Sequence, residues 1–168
     1  MAWRVAYCKV FYPLAYYCAY YSIRANAFDY EKMAMGRERL EYYINDYKAK
    51  KADGTISNVE DDELKDMRIV QEMYARGYEF MPIDIYRAKA RSFQIIDGKI
   101  MPSFKVISKV GESAGESIEI AARDGEFLSK DDLRQRAKIG QTVIEKLGEL
   151  GLLDGMAESN QLSLFDVI

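Results

Sequence analysis

Histidine is absent from this chain of 168 residues, and the sequence also lacks an excess of positive charge. Histidine is the commonest metal ligand and the commonest general base in proteins, so its absence argues against a zinc centre and against a Ser-His-Asp hydrolase. The formal net charge is −3, whereas domains that hold nucleic acid mainly by a broad positive field are usually basic. Any contact with nucleic acid must therefore be local.

Cysteine is scarce, since Cys8 and Cys18 are the only two. Two cysteines in a tyrosine-rich apolar stretch predict reduced thiols in a core, and hence a cytoplasmic protein, better than a disulfide framework. The same stretch imitates a secretory signal, because Arg4 precedes an apolar run and Ala25-Asn26-Ala27 resembles a cleavage site. Pro13 and the many tyrosines favour a packed helix pair with no membrane span. The mature N-terminus would distinguish the two interpretations.

Helix-start and helix-stop signals divide the first hundred residues. Trp3–Phe11 reads as the end of one helix, and Pro13 as the first-turn proline of the next. Asp29 is predicted to cap a helix that continues to Tyr47, before a break over Lys48–Gly54. A capping box at Ser57–Glu60 begins a further helix, which Gly77 closes.

A change of period then predicts a small β-hairpin, with Asp97-Gly98 as its two-residue turn. Pro102 follows the hairpin and marks a predicted boundary between a first domain, 1–101, and a second, 102–155. Residues 156–168 read as a flexible tail, because small and polar residues follow the last helix. The predicted fold class is mainly α.

The second domain contains an internal repeat. Lys109-Val110-Gly111 recurs 29 residues later as Lys138-Ile139-Gly140, and each copy leads into an amphipathic helix. Glycines stop both helices, and a capping box at Ser129–Asp132 begins another helix between them. Two turn-then-helix units joined by a helix predict a domain of four to five helices. Asp131-Asp132 and Asp61-Asp62 are each predicted to lie at a helix start. Acidic residues there interact favourably with the helix dipole, and we predict this role for them and not metal binding.

A helix that follows a glycine turn presents unpaired backbone N–H groups, which together with the helix dipole favour a phosphate. This is the chemistry of a helix-hairpin-helix, which holds the DNA backbone without reading bases. The predicted DNA-binding residues are Lys109, Val110, Gly111, Ser113, Lys138, Ile139, Gly140 and Thr142. The alternative is that Gly111 and Gly140 only make tight helix–helix turns. Because Glu112, Glu116 and Glu119 follow the first hairpin, we expect weak affinity that falls steeply with salt.

The C-terminal string Gln161-Leu162-Ser163-Leu164-Phe165 puts apolar residues where a domain normally ends in polar ones. Short extended motifs of this kind bind by seating side chains in pockets on a partner. The string resembles the peptide by which bacterial replication proteins bind the sliding clamp, with Leu162, Leu164 and Phe165 as pocket-filling residues and Gln161 setting the register. A frayed end, or a tail folded back on its own domain, is the alternative.

Further blocks along the whole chain resemble one family, the PolC-type DNA polymerase III of Gram-positive-type bacteria. These blocks are Trp3–Val10, Tyr12-Pro13, Arg24–Asp29, Arg76–Phe80, Ile83–Tyr86, Pro102–Phe104, Gly125–Leu133 and Asn160–Phe165. The resemblance implies the end of a fingers domain in 1–101, tandem helix-hairpin-helices in 102–155 and a clamp-binding tail in 156–168. Lys109 departs from the family, which usually has glycine there, so that turn is expected to be stiffer or shifted.

The resemblance also implies that the chain is a fragment of a DNA-directed DNA polymerase whose palm domain and Mg²⁺-binding aspartates lie upstream. No catalytic residue, metal site or cofactor is then expected in this chain. The expected partners are the double-stranded DNA backbone, the sliding clamp and the upstream remainder of the polymerase. The alternative function is a free-standing helix-hairpin-helix adaptor that recruits other proteins to the clamp, and the genomic reading frame would separate the two.

Overall fold

The computed structural model describes residues 2–159 of the chain. Its α-helices are α1 (Ala2–Phe11), α2 (Pro13–Ile23), α3 (Tyr30–Met33), α4 (Arg37–Ala52), α5 (Asn58–Ala75), α6 (Gly111–Arg123), α7 (Lys130–Ala137) and α8 (Gln141–Glu149). Strands β1 (Gln94–Ile96) and β2 (Lys99–Met101) form one antiparallel hairpin, and a 3-10 turn covers Phe104–Val106. The predicted fold class, mainly α with a small β-hairpin, is confirmed.

Most of the local start and stop signals lie where the sequence predicts them. Pro13 is in the first turn of α2. The Ser57 hydroxyl accepts from the Glu60 N–H at 3.2 Å, while the Glu60 carboxylate accepts from the Ser57 N–H at 2.9 Å, which completes the capping box of α5. The hairpin turn has φ of +50° at Asp97 and +75° at Gly98, as a two-residue turn of type I′ requires.

The helix predicted from Asp29 to Tyr47 is wrong, because the structure has two helices there. Asp29 caps α3 by accepting from the Lys32 N–H at 2.9 Å, but α3 makes only one turn. Gly36 then adopts φ of +112°, which L side chains rarely reach, and α4 continues beyond the predicted break at Lys48 to Ala52. Both Met33 and Leu40 are fully buried, so the apolar spacing continues across a break in the backbone.

The buried side chains form one cluster that extends from Tyr17 on α2 to Leu153 and crosses the predicted boundary at Pro102. The ring centroid of Tyr21 lies 5.3 to 5.6 Å from those of Phe28, Phe80 and Phe93. These rings tie α2 to the segments on both sides of α5, and so the first part of the fold is built around an aromatic centre.

The core continues beyond Pro102 through the 3-10 turn. Phe104, the first residue of that turn, is fully buried against α6. The two backbones approach so closely that a Cβ added to Gly115 of α6 would lie 2.7 Å from the Cβ of Phe104. The 3-10 turn that leads to the first hairpin is therefore fixed by a glycine contact.

Helix α1 leaves much of its apolar surface open. Trp3 is 77% exposed and Phe11 is 62% exposed. The prediction of two core thiols is wrong for Cys8, which is exposed and lines the groove between α1 and α2, while Cys18 is half-buried. The reason is that polar contacts, such as the ion pair of Lys9 with Glu72 at 2.7 Å, tie one side of α1 to α5. Within residues 2–159, no helix is long and apolar enough to cross a membrane.

Candidate nucleic-acid interface

The first hairpin lies between the 3-10 turn and α6. Lys109 and Gly111 both adopt left-handed backbone conformations, with φ of +67° and +70°. Lys109, Gly111 and Ser113 are exposed, whereas the Val110 side chain is buried and contributes only its backbone to the surface. The nine residues between β2 and α6 form the 3-10 turn and no α-helix, so residues 102–155 contain three α-helices, fewer than the four to five helices predicted.

The second hairpin lies between α7 and α8. Lys138 follows α7 with φ of +51° and closes that helix by donating its N–H to the Arg134 carbonyl. Ile139 is buried, Gly140 is the N-cap of α8, and Thr142 is exposed in the first turn. The sequence repeat therefore places an exposed left-handed lysine and a buried apolar residue in both hairpins.

The glycines of the two hairpins differ in conformation. Gly111 has φ of +70°, a conformation that suits glycine, while Gly140 has φ of −76° and is extended. Lys109 stands where the family resemblance implies glycine. Its left-handed φ gives a physical reason for that preference, since the conformation costs an L-residue about 1 kcal/mol or more. The two hairpins are thus matched at their lysines and different at their glycines.

Both helix starts present unpaired backbone donors. At the start of α8, the N–H groups of Gly140, Gln141 and Thr142 donate to no acceptor within residues 2–159. The same holds, within that range, for the N–H groups of Gly111, Glu112 and Ser113 at α6. Unpaired N–H groups at a helix start favour an anion, and each set lies beside an exposed lysine.

The charges around the hairpins favour a phosphate more than the sequence indicates. Lys109 and Lys138 form no ion pair with any residue of the described range. Glu112 and Glu116, which the sequence sets against DNA binding, both lie 2.7 Å from the Arg91 guanidinium. This contact partly neutralises the acidic side of α6. Sequence reasoning missed Arg91, because the pairing joins a loop before the hairpin to a helix after it.

Glu31 of α3 contacts both hairpin units from outside the repeat. Its Oε1 accepts from the Ser108 hydroxyl at 3.1 Å and lies 2.6 Å from Nζ of Lys146 on α8. Lys146 is only 8% exposed, and its hydrogen bond with Glu31 raises the pKa of the ammonium and lowers the pKa of the carboxyl. No short-range pattern in the sequence indicates this contact, because the three residues are far apart along the chain.

The guanidinium of Arg136 on α7 donates hydrogen bonds to backbone carbonyls within the fold. Its Nη2 donates to the carbonyls of Ala121 and Gly125 at 2.7 and 3.2 Å, and its Nη1 donates to the Glu126 carbonyl at 3.0 Å. The guanidinium also lies 4.6 Å from the ring centroid of Phe127. Because these carbonyls belong to the last turn of α6 and to the segment that follows it, Arg136 stabilises the C-terminal end of that helix.

The paired carboxylates of the sequence lie at helix starts, as predicted, with Asp61 in the first turn of α5 and Asp131 and Asp132 in that of α7. Asp61 contacts Lys65 in α5, and Asp132 in α7 accepts from the Leu128 N–H at 3.0 Å. The Ser129 hydroxyl accepts from the Asp132 N–H at 3.1 Å, so the predicted cap of α7 is present. No group of three potential metal ligands occurs among residues 2–159. The clamp-binding residues Gln161, Leu162, Ser163, Leu164 and Phe165 lie outside the described residues.

Paired hairpins that combine a left-handed lysine with an amide-rich helix start define the class of this protein. Residues 77–162 match the family model described as a helix-hairpin-helix motif, and the chain belongs to that family.

The chain is also 44% identical over 166 residues to the DNA polymerase III PolC-type of Streptococcus suis (strain 98HAH33), covering 99% of this chain and 11% of that protein. Proteins of the same name from Streptococcus pneumoniae serotype 2 (strain D39 / NCTC 7466) and Streptococcus pyogenes serotype M2 (strain MGAS10270) are 43% identical over the same shares. The chain therefore spans about a tenth of the length of these relatives. The predicted resemblance to PolC-type DNA polymerase III is confirmed.

Proposed function

We propose that this chain is part of a replicative DNA-directed DNA polymerase, in which it holds duplex DNA by its backbone and attaches the polymerase to the sliding clamp. The observation that carries the proposal is the pair of exposed lysines, Lys109 and Lys138, each beside a helix start with unpaired N–H groups. The similarity to PolC-type polymerases supports the assignment to replication.

In the proposed DNA complex, each hairpin binds one or two phosphates. The N–H groups that follow Gly111 and Gly140 donate to phosphate oxygens, and the lysines add positive charge. The exposed hydroxyls of Ser113 and Thr142 are further donors within the same first turns. Binding of about two to four phosphates gives a slope of log affinity against log salt of about −2 to −4. Base sequence has no effect, because no side chain in this arrangement reads base edges.

Polymerase chemistry belongs, in this proposal, to the upstream remainder of the protein, which binds Mg²⁺ and acts in the cytoplasm. The isolated chain holds DNA and has no polymerase activity. The open apolar side chains of α1, such as Trp3 and Phe11, are consistent with a surface against which the upstream remainder packs.

The proposed clamp contact is made by residues 161–165, which bind as an extended peptide. Leu162, Leu164 and Phe165 fill pockets on the clamp, and Gln161 fixes the register. Burial of one such side chain contributes roughly 2–3 kcal/mol, so the peptide alone binds weakly. Linked to the hairpins, it raises occupancy on DNA by effective concentration.

The proposal is tested with two ligands and matched variants of the full chain. Fluorescence anisotropy with a duplex of about 20 base pairs compares the wild type with Lys109→Ala/Lys138→Ala. We expect the double variant to bind about tenfold more weakly and with a smaller salt slope. Lys48→Ala is the matched control, because Lys48 is also exposed and lies on α4, away from the hairpins.

Calorimetry with a purified bacterial sliding clamp tests the second contact. The wild type is expected to bind at micromolar affinity, and Leu164→Ala/Phe165→Ala to lose this binding while its DNA affinity stays unchanged. Unchanged DNA affinity of the double lysine variant would refute the duplex-binding role. Unchanged clamp affinity of the tail variant would refute the tethering role.

A further inference from the structure

The carboxylate of Glu31 joins two parts of the duplex-binding surface that are separate in sequence. Ser108, which donates to Glu31 Oε1 at 3.1 Å, directly precedes the left-handed Lys109 of the first hairpin. Lys146, at 2.6 Å from the same oxygen, lies on α8, whose first turn belongs to the second hairpin. A single oxygen atom therefore bonds to both hairpin units.

The residue that makes this contact stands on a rigid support outside the repeat. Glu31 lies on α3, where its neighbours Tyr30 and Met33 are buried and Asp29 caps the first turn. Lys146 is nearly buried, so its ammonium has few alternatives: the remaining partner within the described range is Glu149, at 3.5 Å. The bond from Lys146 is thus made by a nearly buried ammonium, whereas the bond from Ser108 lies at the surface beside Lys109.

We propose that Glu31 is a positioning residue for duplex binding: it fixes the spacing between the two hairpins, so that both can contact one DNA backbone together. The inference rests on the proposed duplex-binding function. It assigns to α3, which belongs to the first half of the chain, a part in DNA binding without any contact to DNA.

The sign of the effect distinguishes this role from simple electrostatics. Glu31 carries a negative charge close to the first hairpin, so its removal should strengthen DNA binding if charge alone mattered. Removal should weaken binding if the carboxylate holds the hairpins in register, because their relative position is then less well fixed for joint contact with one DNA backbone. Glu145 is the matched control, since it is an exposed acidic residue on α8 and pairs with no cation in the range 2–159.

The experiment measures anisotropy of a duplex of about 20 base pairs with the full chain and its Glu31→Ala, Glu31→Gln and Glu145→Ala variants. We expect Glu31→Ala to bind about three- to tenfold more weakly and with a salt slope smaller by about one phosphate, while Glu145→Ala binds as tightly as the wild type or more tightly. Glu31→Gln keeps an acceptor oxygen and is expected to retain most of the affinity.

A Ser108→Ala variant keeps the test valid if Glu31→Ala does not fold, as judged by circular dichroism. Ser108→Ala changes no charge and is expected to weaken DNA binding as a single substitution. If Glu31→Ala folds, adding Ser108→Ala to that variant is expected to weaken DNA binding no further. Equal or tighter binding by a folded Glu31→Ala variant, or undiminished binding by Ser108→Ala, would overturn the inference while leaving the proposed function intact. No binding by the wild type would overturn the proposed function and the inference with it.

Discussion

Gly115 is predicted to be the glycine whose replacement damages the fold most directly at the first hairpin. It lies inside α6 at a helical position, where alanine would normally be an improvement of about 1 kcal/mol. A Cβ at this position would instead meet the Cβ of Phe104 at 2.7 Å and the Cα of Ala90 at 3.5 Å. Carbon atoms normally approach to about 3.5–4.0 Å, so α6 and the 3-10 turn must separate by roughly 1 Å.

The cost of this separation is worked out from its surroundings. Phe104 is fully buried, and the clashing atom is its Cβ, which cannot swing aside as the end of a flexible side chain could. Overpacking of this kind costs about 1–3 kcal/mol, and we place it near 3 kcal/mol here. After the gain in helix propensity, Gly115→Ala is expected to be destabilising by about 2 kcal/mol. For a chain of this size, that lowers Tm by about 4–8 °C.

Gly148 of α8 provides the matched control. It is also helical, but within residues 2–159 no atom beyond its neighbouring helix backbone lies within 4 Å of its added Cβ, so Gly148→Ala should stabilise the chain by about 0.5–1 kcal/mol. Thermal and urea unfolding, followed by circular dichroism, measure both variants against the wild type. A Gly115→Ala variant as stable as Gly148→Ala would refute the close packing of Phe104 on α6. A destabilised variant should also bind duplex DNA more weakly, because the 3-10 turn leads into Lys109.

Further predictions concern single interactions. The hydrogen bond from Lys146 lowers the pKa of Glu31. The stability that this carboxylate contributes is therefore present above its unfolded pKa of about 4.3 and is lost as pH falls through the folded pKa. The urea midpoints of the wild type and Glu31→Gln should thus converge in acid. Arg136→Met should cost roughly 2–4 kcal/mol in urea unfolding, since three backbone carbonyls lose their donor, whereas Arg123→Met, at an exposed ion pair, should cost less than about 1 kcal/mol. Burial, and next the nearby Asp66 carboxylate, raise the pKa of Tyr20 to about 12. The stability that the protonated hydroxyl contributes is therefore lost as pH rises from about 10 to that value. Tyr20→Phe should shift alkaline unfolding to higher pH, whereas the control Tyr42→Phe should not.

The sequence by itself determined the features whose energy comes from residues a few positions apart. The capping box at Ser57, the cap at Asp29 and the turn at Asp97-Gly98 were all predicted, because hydrogen-bonding groups and backbone preferences act locally. The repeat of Lys109-Val110-Gly111 as Lys138-Ile139-Gly140 also predicted matching lysines in the two hairpins, although it predicted neither their left-handed backbone nor the difference between their glycines. Family membership followed from motifs of the same local kind.

Only the tertiary structure decided the features that depend on distant partners. The break at Gly36 was hidden because Met33 and Leu40 meet the same core on both sides of it, so that apolar spacing alone could not separate one helix from two. The pairing of Arg91 with Glu112 changed the electrostatic balance of the first hairpin, and no periodicity indicates it. The contact of Glu31 with Lys146 likewise depends on packing, which brings together residues that are far apart along the chain. A local sequence pattern does not predict which distant residues will form such a contact.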